Sequence, residues 1–372
     1  MRSAARIDLG ALAHNVGLLA ERAAGAQVMA VVKADAYGHG LVPCATTAVQ
    51  AGAAWLGVAF LEEALALRSA GLEAPVLAWL FAPGEDLGAA VQADVDLGVY
   101  SAAELDRVVA AAGRAGRPAR VHLKADTGLS RGGATTADWP ELCEAAAKGE
   151  ADGTVVVVGV WSHLASSEQG PAHPTNAEQR RVFEQAVEIA TGKGLSPQVR
   201  HLANSGALLT DPATHFDLVR PGAALYGLAA VAGRRPEDDG LRPVMSLVSR
   251  IALTKRVPAG AGVSYGHRYT TSRETTLALV PLGYGDGVPR AAGQGAPVQV
   301  AGRRHQVCGT VAMDQFVVDV GDDEVAAGDE VVLFGPGGPT VQEWADVLGT
   351  IDYEVVTRIG ARVPREHVGG GR

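Results

Sequence analysis

Between about residues 11 and 235, eight short apolar runs alternate with Ala- and Leu-rich, helix-like stretches. The runs cover 28–32, 55–59, 76–80, 95–100, 120–124, 155–161, 199–203 and 216–220. Stretches 41–50, 62–70, 101–113, 139–148 and 176–193 read as helices, and Ser101 with Glu104 starts one of them as a capping box. Strands that are apolar throughout belong in a parallel sheet covered on both faces. Eight such strands, each followed by a helix, is the count of a (β/α)8 TIM barrel, with a doubly wound open sheet as the other arrangement. The chain has 372 residues, more than the roughly 250 such a barrel uses. Beyond about residue 240 the pattern changes to strands at 244–257, 275–282, 298–301, 306–311, 316–320 and 330–334, separated by Gly, Pro and Asp turns. One helix, 340–348, interrupts them behind a Thr340/Glu343 capping box, and 353–363 reads as a last strand. The expected fold class is α/β: an N-terminal (β/α)8 TIM barrel over 10–235 and a C-terminal mainly β domain over 236–372. Residues 1–9 are assigned to that second domain through a strand at 4–9, and the Gly-rich tail after 363 reads as frayed.

The first run ends in Lys33, inside the stretch VMAVVKADAYGHG (28–40), and a turn-rich segment follows. Barrels and open sheets place their chemistry at the carboxyl ends of strands. An amine there, partly desolvated by apolar neighbours, has a lowered pKa and is suited to forming a Schiff base. A lone lysine at a strand end more often simply reaches solvent, so the neighbours decide. Polar clusters also follow the fifth strand (Lys124 to Arg131), the sixth (His163), the seventh (Asn204-Ser205-Gly206) and the eighth (Arg220-Pro221-Gly222). Polar groups from five strands at one rim describe a barrel active site. The loops after strands seven and eight often cradle a phosphate. Here they carry Ser205, a hydroxyl donor, and Gly222-Ala223, although Asn204-Ser205-Gly206 also suits a helix start. A Schiff-base lysine beside a phosphate cradle points to pyridoxal 5′-phosphate (PLP).

A formal net charge of −9 argues against nucleic acid and offers no basic face to an anionic membrane. Three cysteines without CxxC spacing read as buried thiols of a reducing compartment, and no metal site is expected. No secretory or spanning segment is visible, so the expected location is the cytoplasm.

The motifs VVKADAYGHG, VHLKADTGLSRGG, HLANSG, VRPGAALYGL, GVSYGH, PLGYGDG and AMDQF follow one another from about residue 6 to 363. In that order and spacing the chain resembles the alanine racemases, fold-type III PLP enzymes. The resemblance implies interconversion of L- and D-alanine and a head-to-tail homodimer whose sites are completed by the partner chain. It implies covalent attachment of PLP to Lys33, with Tyr37, Asn204, Ser205, Gly222, Ala223 and Tyr353 around the cofactor. Arg220 would face the pyridine nitrogen, supported by His163, with His201 behind. Arg131 would meet the substrate carboxylate and Lys124 be open to carbamylation. From the partner chain, Tyr265 would be the second acid/base, and Met313 and Asp314 would approach the substrate; Tyr284 would line the access channel. The implied role is supply of D-alanine for peptidoglycan. Ala312 and Gly285 are smaller than the residues many relatives carry there, so a broad-specificity or serine-preferring racemase is the near alternative. A non-catalytic PLP carrier is a more distant one.

Overall fold

A computed structural model describes residues 2–370. The chain divides into two compact units. One holds Leu12–Ala36 and Leu41–Arg242, and the other holds the residues up to Ala11, Tyr37–Gly40 and everything from Pro243 on.

The first unit is built on eight parallel strands: Gln27–Val31, Trp55–Val58, Val76–Ala78, Val95–Val99, Ala119–Lys124, Val155–Trp161, Val199–His201 and Leu218–Val219. Each pairs with the next up to the seventh, and the first also pairs with the eighth, Val28 opposite Val219. A parallel bridge between Asn204 and Arg220, with Arg220 N donating to Ala203 O at 2.9 Å, joins seventh to eighth and nearly closes the ring. Met29, Trp55, Leu77, Val158, Val199 and Leu218, one from each of six strands, form a buried cluster. This layered filling is what makes a small barrel a packed core rather than a pore. Between strands run amphipathic helices such as Ala102–Ala115, whose Leu105, Val108, Ala111 and Ala112 are buried. Ser101 Oγ accepts from Glu104 N at 3.2 Å, while the Glu104 carboxylate reaches one residue further back, to Tyr100 N at 2.7 Å. The doubly wound open sheet is excluded.

The second unit is a nine-stranded sheet in the order Leu253–Val257, Thr275–Val280, Phe316–Gly321, Arg303–Cys308, Pro297–Val300, Glu330–Phe334, Met245–Arg250, Ser3–Asp8, Arg365–Val368. Ser3–Asp8 runs antiparallel to Met245–Arg250 and parallel to Arg365–Val368. The run read as one strand over 244–257 is two, parted at Ile251 and Ala252. The helix Val341–Leu348 has its reciprocal cap, Thr340 N donating to Glu343 Oε2 at 2.7 Å and Glu343 N to Thr340 Oγ1 at 3.2 Å. Two expectations fail at the carboxyl end. Residues 353–363 are not a strand: Asp352–Thr357 is a helix with Asp352 and Glu354 in its first turn, where acids favour the positive helix end. The tail is not frayed at once, because Arg365–Val368 is tied into the sheet beside Ser3–Asp8. All three cysteines are buried and none forms a disulfide, and among the described residues no helix is long and apolar enough to cross a membrane.

Candidate functional site

Lys33 stands where the first barrel strand ends. Val31 N still donates to Pro221 O at 3.0 Å and Val32 N to Gly57 O at 2.9 Å, so the backbone is held up to the residue before it. The chain then does something the sequence reading, which expected only turns, did not anticipate. Ala34, Asp35, Ala36 and Tyr37 have φ of 54°, 53°, 54° and 55°, and Gly38 has 79°, which makes one turn of left-handed helix. For L-residues this conformation costs about 1–2 kcal/mol each, so four in succession require strong local support. Ala36 N donates to Val32 O at 2.8 Å, and Leu41 N to Asp35 Oδ1 at 2.7 Å. Gly38 is obligatory, since a Cβ there would lie 2.8 Å from Val356 O. Arg365 Nε donates to its carbonyl at 3.0 Å. Burial, then the Arg131 charge, lower the Lys33 pKa, and Glu63 partly offsets them.

Arg220, at the end of the eighth strand, is buried without a carboxylate among its hydrogen-bond partners. Its guanidinium donates to Ser162 O at 2.6 Å, Leu202 O at 3.2 Å and His201 Nδ1 at 3.2 Å, with His163 Nδ1 at 3.5 Å. Burial pulls its pKa down to about 9, and it remains a cation at neutral pH. Behind it a row of polar side chains crosses the barrel interior. His201 Nε2 lies 2.9 Å from His122 Nδ1, His122 Nε2 lies 3.0 Å from Asp96 Oδ2, and Arg120 Nε donates to Asp96 Oδ1 at 2.6 Å. Arginine only donates and aspartate only accepts, so both ends of the row dictate its protons. His201 accepts at Nδ1 and carries its proton on Nε2; His122 accepts that proton at Nδ1 and donates from Nε2 to Asp96. Both imidazoles are neutral in this arrangement. In agreement, burial, then the Arg220 charge, holds the His201 pKa well below the usual value. Trp161 stacks on His201, centroids 5.6 Å apart and planes 1° from parallel. Gly159 leaves the room His122 occupies, for a Cβ there would sit 2.3 Å from His122 Nδ1.

Two further titratable groups share this neighbourhood. His163 is kept neutral by its own burial and then by Arg220, Arg131, Lys124 and Lys33. Lys124, at the end of the fifth strand, has its amine 4.8 Å and 4.7 Å from the Tyr100 and Trp161 ring centroids. Burial, then Arg131 and Arg220, lower its pKa to about 8. The loops after strands seven and eight meet at Ser205, whose Oγ accepts from Gly222 N at 2.9 Å and Ala224 N at 3.2 Å, leaving its hydroxyl proton free to donate elsewhere. Ala223 is buried beside them, and Asn204 caps the short helix Ser205–Thr210 through Ala207 N. The structure therefore brings Lys33, Lys124, Arg131, His163 and Arg220 together, and separately Ser205 with Gly222. Arg120, Asp96, His122 and Glu63 escaped the sequence reading. They lie within strands, a helix or their flanks, His122 inside the motif VHLKADTGLSRGG with no role assigned to it, and only three-dimensional proximity links them.

In the second unit the candidate residues behave differently. Tyr265 sits at the turn of the ribbon Gly262–Val263/Tyr269–Thr270 with 70% of its surface exposed, and Met313 and Tyr284 are also exposed, at 53% and 45%. Their backbones are nonetheless held: Thr310 Oγ1 donates to Tyr265 O at 2.9 Å, Tyr284 N to Ala312 O at 3.1 Å and Gly285 N to Met313 O at 2.8 Å. Arg362 bridges Asp314 at 2.8 Å and the buried Asp286 at 3.4 Å. Tyr37 packs edge-on against Tyr353, centroids 6.1 Å apart, and burial pushes its pKa up to about 12.

Comparison with known proteins places these features in one family. Residues 7–230 match the alanine racemase N-terminal domain and 244–367 the C-terminal domain. The chain is 60% identical to the alanine racemase of Frankia casuarinae and 58% identical to that of Thermobifida fusca, covering 99% of this chain in both cases and 97% and 98% of theirs. In three dimensions it superposes on the alanine racemases of Streptomyces lavendulae and Streptomyces coelicolor with a TM-score of 0.97 for each. The identities are 51% and 53%, over 100% and 99% of this chain and 98% of each of theirs. This chain belongs to the alanine racemase family.

Proposed function

We propose that this protein interconverts L-alanine and D-alanine with PLP, with Lys33 and Tyr265 as the two proton-transferring groups. The observation that carries the reading is Lys33 itself: an amine at the mouth of a nearly closed parallel barrel, made less basic by burial and by Arg131. The residues around it fit the cofactor. Arg220 is a buried cation with only neutral partners, and a buried charge left so needs a further acceptor. The pyridine nitrogen of PLP would supply one. The Ser205 hydroxyl, with Gly222 and Ala223 beside it, would hold the phosphate, together with Asn204, Tyr37 and Tyr353; His163 would keep Arg220 in place. PLP, when bound, withdraws electrons from the substrate and acidifies its Cα–H.

The chain's own residues do the rest. Inversion at Cα requires a base on one face and an acid on the other. Lys33 Nζ takes the proton of the D-enantiomer, Tyr265 Oη that of the L-enantiomer, and each returns a proton in the reverse direction. Arg131 holds the substrate carboxylate, with Met313 and Asp314 near it and Tyr284 at the access channel. A tyrosine 70% exposed on its own chain lacks the enclosed, oriented surroundings that proton transfer at Cα requires. We therefore assign the active form as a homodimer in which a second copy brings Tyr265, Tyr284, Met313 and Asp314 to each barrel of 10–235. The segment 236–372, with residues 1–9, is the part that supplies them. Lys124 is assigned as a carbamylation site: its amine, with a pKa near 8, keeps a neutral fraction that adds carbon dioxide and releases a proton. The resulting anion would orient Arg131. The assigned setting is the cytoplasm, where D-alanine is consumed in building peptidoglycan.

The broad-specificity alternative rested partly on Gly285. A Cβ there would lie 2.6 Å from Arg362 Nη1 and 3.1 Å from Met313 O, so the space beside Gly285 is bordered by the movable tip of Arg362 and by the Met313 backbone. Racemisation of alanine, serine and lysine in deuterated water tests the whole reading. Cα deuterium should enter alanine far faster than the others, and borohydride treatment followed by peptide mapping should label Lys33. Carbon dioxide-sized added mass on the peptide carrying Lys124 checks that assignment separately.

A further inference from the structure

We infer that Glu63 is a positioning residue for Lys33: its carboxylate latches the left-handed turn that follows the lysine to the end of the neighbouring strand. This rests on the reading of Lys33 given above. Glu63 lies in the first turn of the helix Leu61–Ser69, behind the second barrel strand. One carboxylate oxygen, Oε1, accepts from Ala34 N at 2.6 Å. The other, Oε2, accepts from Ala59 N at 2.9 Å and Phe60 N at 3.2 Å. Three backbone donors from two adjacent strand ends thus converge on a single anion, and hydrogen bonds to an ionised acceptor are the stronger kind.

Ala34 is where this matters. It follows the lysine directly and is the first of four residues at φ between 53° and 55°. The direction in which the chain leaves the strand there decides where the Lys33 side chain starts. Two other ties on this turn, Ala36 N to Val32 O and Leu41 N to Asp35 Oδ1, come from the same stretch of chain, and Arg365 holds the far end of the turn at Gly38 O. Glu63 instead fastens its beginning to the next strand. The same carboxylate opposes the Arg131 charge at the lysine amine, so geometry and charge arrive through one side chain.

The design predicts that the two carboxylate oxygens cannot be replaced by one. In Glu63→Gln the amide offers a single acceptor and turns N–H donors toward the remaining backbone N–H. In Glu63→Ala both sides are released. The test is amide hydrogen exchange on the holoenzyme, comparing peptides over 33–40 and 58–64, with the pH dependence of kcat for D-alanine measured alongside. Expected is faster exchange in 33–40 for both variants and a kcat loss of about 10²-fold in Glu63→Ala, the size a small misplacement of a reacting group produces. The pH limb of the lysine should move to lower pH in both, because removing an anion makes the amine less basic. Faster exchange confined to 58–64, with an unchanged limb, would show that Glu63 only caps its own helix and would overturn the inference. If Glu63→Ala does not fold, Glu63→Gln gives the same comparison. If the wild-type protein does not racemise alanine but the variants still lose its 33–40 protection, the latch stands and only the functional reading falls.

Discussion

The barrel mouth and the second unit hold their candidate residues in opposite ways. At the barrel mouth the polar groups are buried and bonded to one another: Arg220 to His201, His201 to His122, His122 to Asp96. In the second unit Tyr265, Tyr284 and Met313 have fixed backbones but side chains open to solvent. A buried polar group must be satisfied within its own chain, or it costs about 1–3 kcal/mol. An exposed aromatic carries no such demand and can wait for another surface. The contrast teaches that one half of the proposed site is preorganised by folding, and the other half is only presented by it.

The strongest test of that contrast is Lys33→Ala. If the barrel end is the reaction centre, racemisation in both directions should fall by about 10³-fold or more, with thermal stability near that of the parent. Tyr265→Phe is next. It should lower Cα-proton removal from L-alanine by about 10²-fold or more and from D-alanine far less, as isotope exchange in each direction would register. Equal losses would mean that the two faces are wrongly assigned. Because Tyr265 is exposed, this variant should leave the unfolding temperature unmoved, unlike any change in the buried row.

Asp96→Asn probes that row. It should destabilise by about 2–3 kcal/mol, below the ~3–5 of a fully buried pair, because Arg120 reaches solvent. The parent protein should show the linked pH dependence. His122 and Arg120 hold the Asp96 pKa below the ordinary carboxylate value despite its burial. Its contribution to stability is therefore complete above about pH 4 and is lost as pH falls through the lower folded-state value. The Asn variant should lack that acid-side loss in denaturant titrations. The smallest effect is expected at Arg362→Ala, which frees Asp314 at an exposed ion pair. The KM for alanine should rise roughly fivefold or less, with kcat nearly unchanged.

The alternation of apolar runs made the barrel legible, and the position of Lys33 at a run's end made the candidate site legible. The failures have particular causes. Tyr353, Val355, Val356 and Thr357 are residue types favoured in strands, yet Val355 and Val356 are buried on one side of a helix. Propensity yielded to packing there. The left-handed turn after Lys33 was unreadable because Ala, Asp and Tyr do not announce a positive φ. Asp96 and His122 were unreadable because an isolated acid and an isolated histidine within strands signal nothing until they touch.

Periodicity and motif order, which are local properties of the chain, were enough to establish the (β/α)8 barrel, the β-rich second unit and the lysine at the strand end. The hydrogen-bonded row from Arg120 to Arg220 and the three-donor grip of Glu63 came only with the folded chain. The row, and the bond from Ala34 in that grip, join residues about 20 or more positions apart, and a hydrogen bond acts over a few ångströms, whatever the separation along the sequence.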